Sequence, residues 1–271
     1  MSDNQPYPSI ISVLEVFDTG DRPIKILADD GNAYLIKHTI LEGMQSKLVR
    51  EWICYQLFHH LKVSIPKATL LSFEPMQFQE ELKTLTGRFL DQVVFASQWL
   101  HARDIKDDFY SGKSRRKESL RNPFELAKIL VMDIWLKNND RQPSNLNLII
   151  SNRKIYAIDH AATFDQEPFS RLADSTRKEY FVEPGEKGDL MVSSDFFNYY
   201  FRQHATEFEE SGNQLCEKIE LLDTTFFKSI TDSIPAIWHI QEDEKAAIIE
   251  YLYDRKSKIS DRFTGHLNFG R

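Results

Sequence analysis

The stretch running from Phe124 to Ala161 restricts the fold more than any other. It opens with FELAKILVMDIWL, apolar almost all round, which marks a helix buried inside a helical region and not one lying on a surface. Asn122 can cap that helix, with Pro123 at its first position and Glu125 at its third. Asp133, inside the buried helix, is most simply a hydrogen-bonding brace for the loop below it. That loop reads NNDRQPSN, and LNLII and KIYAI, joined by SNRK, then form a short hairpin that ends at Asp159.

A buried helix that delivers the chain to a polar loop with little slack, backed by a hairpin ending in a carboxylate, lets Asp140, Asn145 and Asp159 converge. Each is a hard oxygen ligand or a proton acceptor, so the set suits a metal-bound triphosphate. Asp140 reads as the acceptor that orients a substrate hydroxyl and takes its proton. Asn145, five residues on, supplies an oxygen for magnesium, and Asp159 can bridge the metal and the β- and γ-phosphates. Taken alone, an NDR triplet favours a loop cap; the three positions together favour the chemical reading. Asn138, Asn139 and Asn147 read as loop and turn residues.

Nearer the amino terminus the pattern is that of strands. IISVLEVFD, PIKILA and AYLIK alternate and turn as two hairpins of an antiparallel sheet, and KATLLSFE and FLDQVVFASQ add further strands. From Gln45 to Leu61 the period becomes helical, with Leu48, Cys54, Tyr55, Phe58 and Leu61 on one arc and Glu51 inside it. A carboxylate on an apolar helix face needs a cation, and Lys37, which shares its strand face with Ala33 and Leu35, is the candidate. Paired in this way, the lysine would neutralise the α- and β-phosphates. A loop covering those phosphates would use the Gly20 backbone and Arg22, although an ordinary hairpin turn explains Asp18 to Arg22 equally well. The backbone around Ser97, Gln98 and Trp99 sits in chain order where an adenine edge could pair.

Composition narrows the alternatives. The chain of 271 residues carries 34 basic and 41 acidic side chains, a net charge of −7 that gives a nucleic-acid backbone no broad hold. The two cysteines, Cys54 and Cys216, fall in amphipathic helical patterns as small hydrophobes, and the histidines show no pair at metal-ligand spacing, which points away from a zinc enzyme. No apolar run reaches the length of a membrane span, and the first twenty residues lack a signal-peptide pattern, so the cytoplasm is the default address. The fold class expected is α+β with two lobes, an antiparallel β amino-terminal lobe over residues 1–100 and a mostly helical carboxy-terminal lobe over 101–271.

In order along the chain, GDRPIKI, DDGNAYLIK, REW, FASQWL, NNDRQPSN, YAIDHA and a late IW followed by YLYDR resemble the HipA-like kinase family, part of the wider protein-kinase-like and phosphatidylinositol-kinase-like fold. Gln142 stands where that family often has histidine. The resemblance implies that Lys37 binds phosphates, Glu51 anchors Lys37, Asp140 is the catalytic base, and Asn145 with Asp159 binds magnesium. It implies ATP and Mg2+ as cofactors and protein serine or threonine as the acceptor. Several members are toxins restrained by a small DNA-binding antitoxin, so a regulator of that kind is an expected partner. The same residues would serve a small-molecule phosphotransferase or, without turnover, a nucleotide-binding scaffold.

Overall fold

Every second residue of IKILA and AYLIK is buried, and that alternation builds the first sheet of the computed structural model. The structure describes residues 7–19, 22–38, 45–83, 93–105, 120–181 and 191–269. Cα proximity divides the chain into two units, the first made of Met1–Tyr55, Pro66–Leu100 and Ser233–Ile240 and the second of Gln56–Ile65, His101–Asp232 and Gln241–Arg271.

In the first unit, strands β1 (Ile10–Val16), β2 (Ile24–Ala28), β3 (Ala33–Lys37), β4 (Ala68–Ser72) and β5 (Val93–Gln98) form an antiparallel sheet in the order β1-β2-β3-β5-β4. Ile24, Ile26, Ile36, Leu71, Phe73 and Val94 fill its core. The β2–β3 turn needs a left-handed residue, which Gly31 supplies at φ +79°, and Asp30 holds the turn by accepting from Asn32 N at 2.9 Å and Tyr34 Oη at 2.6 Å. Helix α1 (Gln45–His60) follows the sheet's first three strands, as the change of period predicts. The late IW belongs to this unit for a concrete reason: the Trp238 indole donates to Val93 O at 2.9 Å.

The second unit is helical around one buried rod. Helix α2 (Glu125–Leu136) is buried at every residue but Lys128. It is followed by strands β7 (Leu148–Ser151) and β8 (Lys154–Ala157), which extend a short sheet begun by β6 (Arg103–Asp104). The remaining α-helices among the described residues are α3 (Ser175–Glu179), α4 (Asp195–Phe201), α5 (Ala205–Glu220), α6 (Thr224–Asp232), α7 (Glu242–Lys256) and α8 (Ile259–Phe269). Helices α5, α7 and α8 pack on α2. An antiparallel amino-terminal sheet and a helical carboxy-terminal part give the α+β class that the periodicities predict. Among the described residues no helix is long and apolar enough to cross a membrane.

The start of α2 differs from the expected capping arrangement. Asn122 does not cap: its amide spans the backbone of Ile155, accepting from Ile155 N at 2.9 Å and donating to Ile155 O at 3.2 Å. The Glu125 carboxylate accepts from Ser64 N at 2.7 Å, so both polar side chains serve tertiary contacts within the unit. Propensity alone does not reveal such contacts.

The end of α2 is held by Arg255, the last residue of YLYDR, which is fully buried. Its guanidinium donates to Ile134 O at 2.8 Å, Trp135 O at 2.8 Å and Tyr180 O at 2.7 Å, and lies 3.7 Å from the Phe181 ring centre. Carbonyls of a helix's last turn lack partners within the helix, and this cation meets two of them. Arg255→Met should therefore cost about 2–4 kcal/mol of unfolding free energy, because buried carbonyls lose a charged donor. Urea denaturation within 0.5 kcal/mol of the parent, roughly the scatter of neutral surface changes, would contradict this.

Candidate active site

Lys137 ends α2 in the left-handed conformation at φ +52°, and Asn138 N returns to Asp133 O at 2.9 Å, which turns the chain sharply into the polar loop. Asp133 braces that loop as expected: its Oδ1 accepts from Asn138 Nδ2 at 3.1 Å. Its Oδ2 lies 2.8 Å from Arg141 Nε, but the N–H is not aimed at the oxygen, so this is a contact of charges and not an aligned hydrogen bond. Burial pushes the Asp133 carboxyl above its ordinary value, against the opposing pull of Arg141 and His160.

Arg141 received no role from the sequence, yet it organises the loop. Fully buried, it donates to Leu146 O at 3.0 Å, to Asn147 O, and to Ile158 O at 3.3 Å, and meets His160 Nε2 at 3.3 Å. Ile158 N also donates to Asn147 O at 3.0 Å. One cation thus ties the loop to both neighbours of Asp159. The sequence signal was the buried carboxylate Asp133, which calls for a cation within the same apolar surroundings. Asp159 itself sits at φ +58°, a left-handed backbone that aspartate tolerates better than most residues and that is common where function fixes a side chain.

Asp140 is half-buried, and its Oδ2 accepts from two amides, Asn145 Nδ2 at 3.0 Å and Asn147 Nδ2 at 2.8 Å. A carboxylate only accepts, so the amino end of each amide must face it and each amide oxygen must point elsewhere. Gln142 keeps the loop tight, exchanging backbone bonds with Asn145 at 3.1 and 2.9 Å and donating from its side chain to Asn139 O at 2.6 Å. The structure therefore brings Asp140 and Asn145 together, with Asn147 joining the loop to the segment that carries Asp159.

Asn145 Oδ1 takes no hydrogen bond from any described residue, and Asp159 adds a carboxylate in the same unit. Among the described residues no group of three His, Cys, Asp or Glu side chains could hold a metal ion. Two oxygen donors of this kind could hold magnesium only alongside waters and phosphate oxygens.

A second feature escaped the sequence reading. Asp165, within a run of left-handed residues at Phe164, Asp165 and Gln166, accepts from Lys137 Nζ at 2.5 Å and from Asn139 Nδ2, while its own N–H donates to Lys137 O at 3.3 Å. Burial lowers the Lys137 pKa, and Asp165 opposes that shift. These bonds strap the segment after Asp159 to the residues just before Asp140.

In the first unit, Lys37 Nζ meets Glu51 Oε1 at 2.5 Å. Glu51 is 3% exposed on α1, and Lys37 lies on the half-buried sheet face with Ala33 and Leu35, the arrangement expected from the two periodicities. Arg22 pairs with Asp18 at 3.4 Å on the surface, and Gly20 lies outside the described residues. Of the backbone groups around Ser97 to Trp99, where a base edge is expected, two amides are engaged within the first unit. Gln98 N donates to Lys67 O at 2.7 Å and Trp99 N to Ala33 O at 2.8 Å, while Ser97 is flanked by strands on both sides. The sheet uses both donors. The Trp99 ring instead stacks on Phe17 at 5.8 Å with Lys25 Nζ 4.2 Å from its centre.

A model of the family described as HipA-like kinase matches residues 10–266. Among solved structures, the chain is similar to the Helicobacter pylori proinflammatory kinase CtkA, at 13% identity and a TM-score of 0.61 over 97% of this chain and 98% of that one. It also aligns with the Golgi casein kinase, at 14% identity and a TM-score of 0.47 over 96% of this chain and 73% of that one, too low a score to support an argument. No curated protein sequence matches it. At its level of identity the CtkA likeness shows a kinase fold alone. The family match covers nearly the whole sequence, and the chain belongs to the HipA-like kinase family.

Proposed function

We propose that this kinase transfers the γ-phosphate of magnesium-bound ATP to the hydroxyl of a protein serine or threonine, with Asp140 as the base. The observation that carries the reading is the state of the Asp140 carboxylate: two amides hold Oδ2, and Oδ1 has no hydrogen bond from any described residue. A fixed carboxylate with one oxygen open is what a hydroxyl needs in order to be oriented and deprotonated.

In this reading the acceptor oxygen forms a bond to the γ-phosphorus as the bond from that phosphorus to the β,γ-bridging oxygen breaks. The hydroxyl proton passes to Asp140 Oδ1, ADP leaves with the bridging oxygen, and the proton is later released to solvent. Asn145 and Asp159 would hold the magnesium, which when bound would neutralise the phosphate charge that grows in the transition state. Lys37, kept in place by Glu51, meets the α- and β-phosphates. The resemblance to protein-phosphorylating members of the family supports serine or threonine as acceptor.

Incubation with γ-labelled ATP, magnesium and a protein mixture, beside a panel of small hydroxyl compounds, tests this directly. Label should appear in phosphoserine or phosphothreonine and vanish when the metal is chelated. Label found only on a small molecule would overturn the acceptor class, and nucleotide binding with no transfer at all would overturn the reaction.

A further inference from the structure

The role of Asn147 goes beyond that of a loop residue. We infer that Asn147 is a positioning residue that sets which oxygen of Asp140 receives the proton, while its neighbour Asn145 on the same oxygen serves the metal as well; this rests on the phosphoryl-transfer reading above.

Asn145 Nδ2 at 3.0 Å and Asn147 Nδ2 at 2.8 Å converge on Oδ2 alone. One amide would leave the carboxylate free to swing about its Cβ–Cγ bond and exchange its two oxygens. Two amides arriving from different points of the loop fix the plane, so Oδ1 becomes the oxygen presented to the acceptor. Bonds to a charged acceptor are the stronger class of hydrogen bond, so the orientation is held against solvent.

The two asparagines differ in what else they hold. Asn147 is anchored through its carbonyl, which accepts from Arg141 Nη1 and from Ile158 N at 3.0 Å, next to Asp159. Its backbone is left-handed at φ +46°. Asparagine is among the residues that tolerate this conformation, so a purely conformational role would explain its presence equally well. Glycine separates the two explanations, since it adopts the same backbone without strain and keeps the carbonyl bonds but carries no amide.

Asn147→Gly should therefore lower kcat about 10- to 100-fold, the kinetic equivalent of losing one charge-assisted hydrogen bond, with KM for ATP unchanged within twofold and Tm unchanged or raised. Raising magnesium should not restore it, whereas Asn145→Ala should recover part of its loss at high magnesium. Asn147→Asp, which keeps shape and backbone but sets a second carboxylate against Asp140, should lose at least as much as Asn147→Gly. A spectroscopic readout needs no turnover: in protein labelled with 15N-asparagine, the Asn147 side-chain amide resonance should move when Asp140 is changed to alanine. An unchanged kcat in Asn147→Gly, or an Asn147 amide indifferent to Asp140, overturns the positioning role. Turnover that survives Asp140→Asn instead overturns the assignment of the base itself, and the two failures are distinguishable in one set of assays.

Discussion

Asp140→Ala should reduce phosphate transfer to about one part in a thousand of the parent rate, while ATP affinity should change by no more than about threefold. The asymmetry follows from where the carboxylate sits. Its contacts are two side-chain amides, a 3.4 Å approach of its N–H to Asn138 Oδ1, and a backbone bond from Gln142; none is a deep packing contact. Removing it therefore costs little stability, because the residue is only half-buried and the freed amides can turn to water. The phosphates are assigned to other residues, so ground-state binding persists. Single-turnover measurements with labelled ATP, beside calorimetric binding, check both halves. A variant that binds but retains more than about a tenth of the rate would remove Asp140 from the role of base, since general-base catalysis is worth at least about a hundredfold.

The second large effect is expected at Lys37. Lys37→Met removes the ammonium assigned to the α- and β-phosphates, and turnover should fall about 10²–10³-fold, the usual consequence of losing one preorganised charged donor. It should also lower stability, because Glu51, 3% exposed, loses the cation that meets it at 2.5 Å. The double variant Lys37→Met with Glu51→Leu separates the two consequences. Replacing both members of a buried pair by apolar groups is often neutral, so stability should recover while turnover stays lost. Recovery of both would show that Lys37 acts only by holding the fold.

These two sites were legible for different reasons. Asp140, Asn145 and Asp159 stood out because a helix apolar almost all round leads straight into a polar loop, and such a change leaves the polar residues few places to go. Glu51 was legible as a conflict: a carboxylate on an apolar arc demanded a cation, and Lys37 was the nearest one on the right strand face. What escaped were interactions that depend on how the chain doubles back. Arg141 acquires its role only once the hairpin brings Ile158 and His160 beside it. Arg255 was visible inside YLYDR as a motif, but the carbonyls it holds lie 120 and 121 positions away. Asn147 read as a turn former, which its φ of +46° allows, and its amide contact with Asp140 has no signature in spacing. Around Ser97 to Trp99 chain order alone suggests a base edge, and it does not reveal that the Gln98 and Trp99 amides bond to Lys67 O and Ala33 O.

The most direct measurement of the central claim is a crystal structure of the protein with a non-hydrolysable ATP analogue and magnesium. The account predicts a metal bound by Asn145 Oδ1 and the Asp159 carboxylate together with phosphate oxygens, and a γ-phosphate facing Oδ1 of Asp140. A nucleotide bound elsewhere, with Asp140, Asn145 and Asp159 touching neither metal nor phosphate, would contradict it.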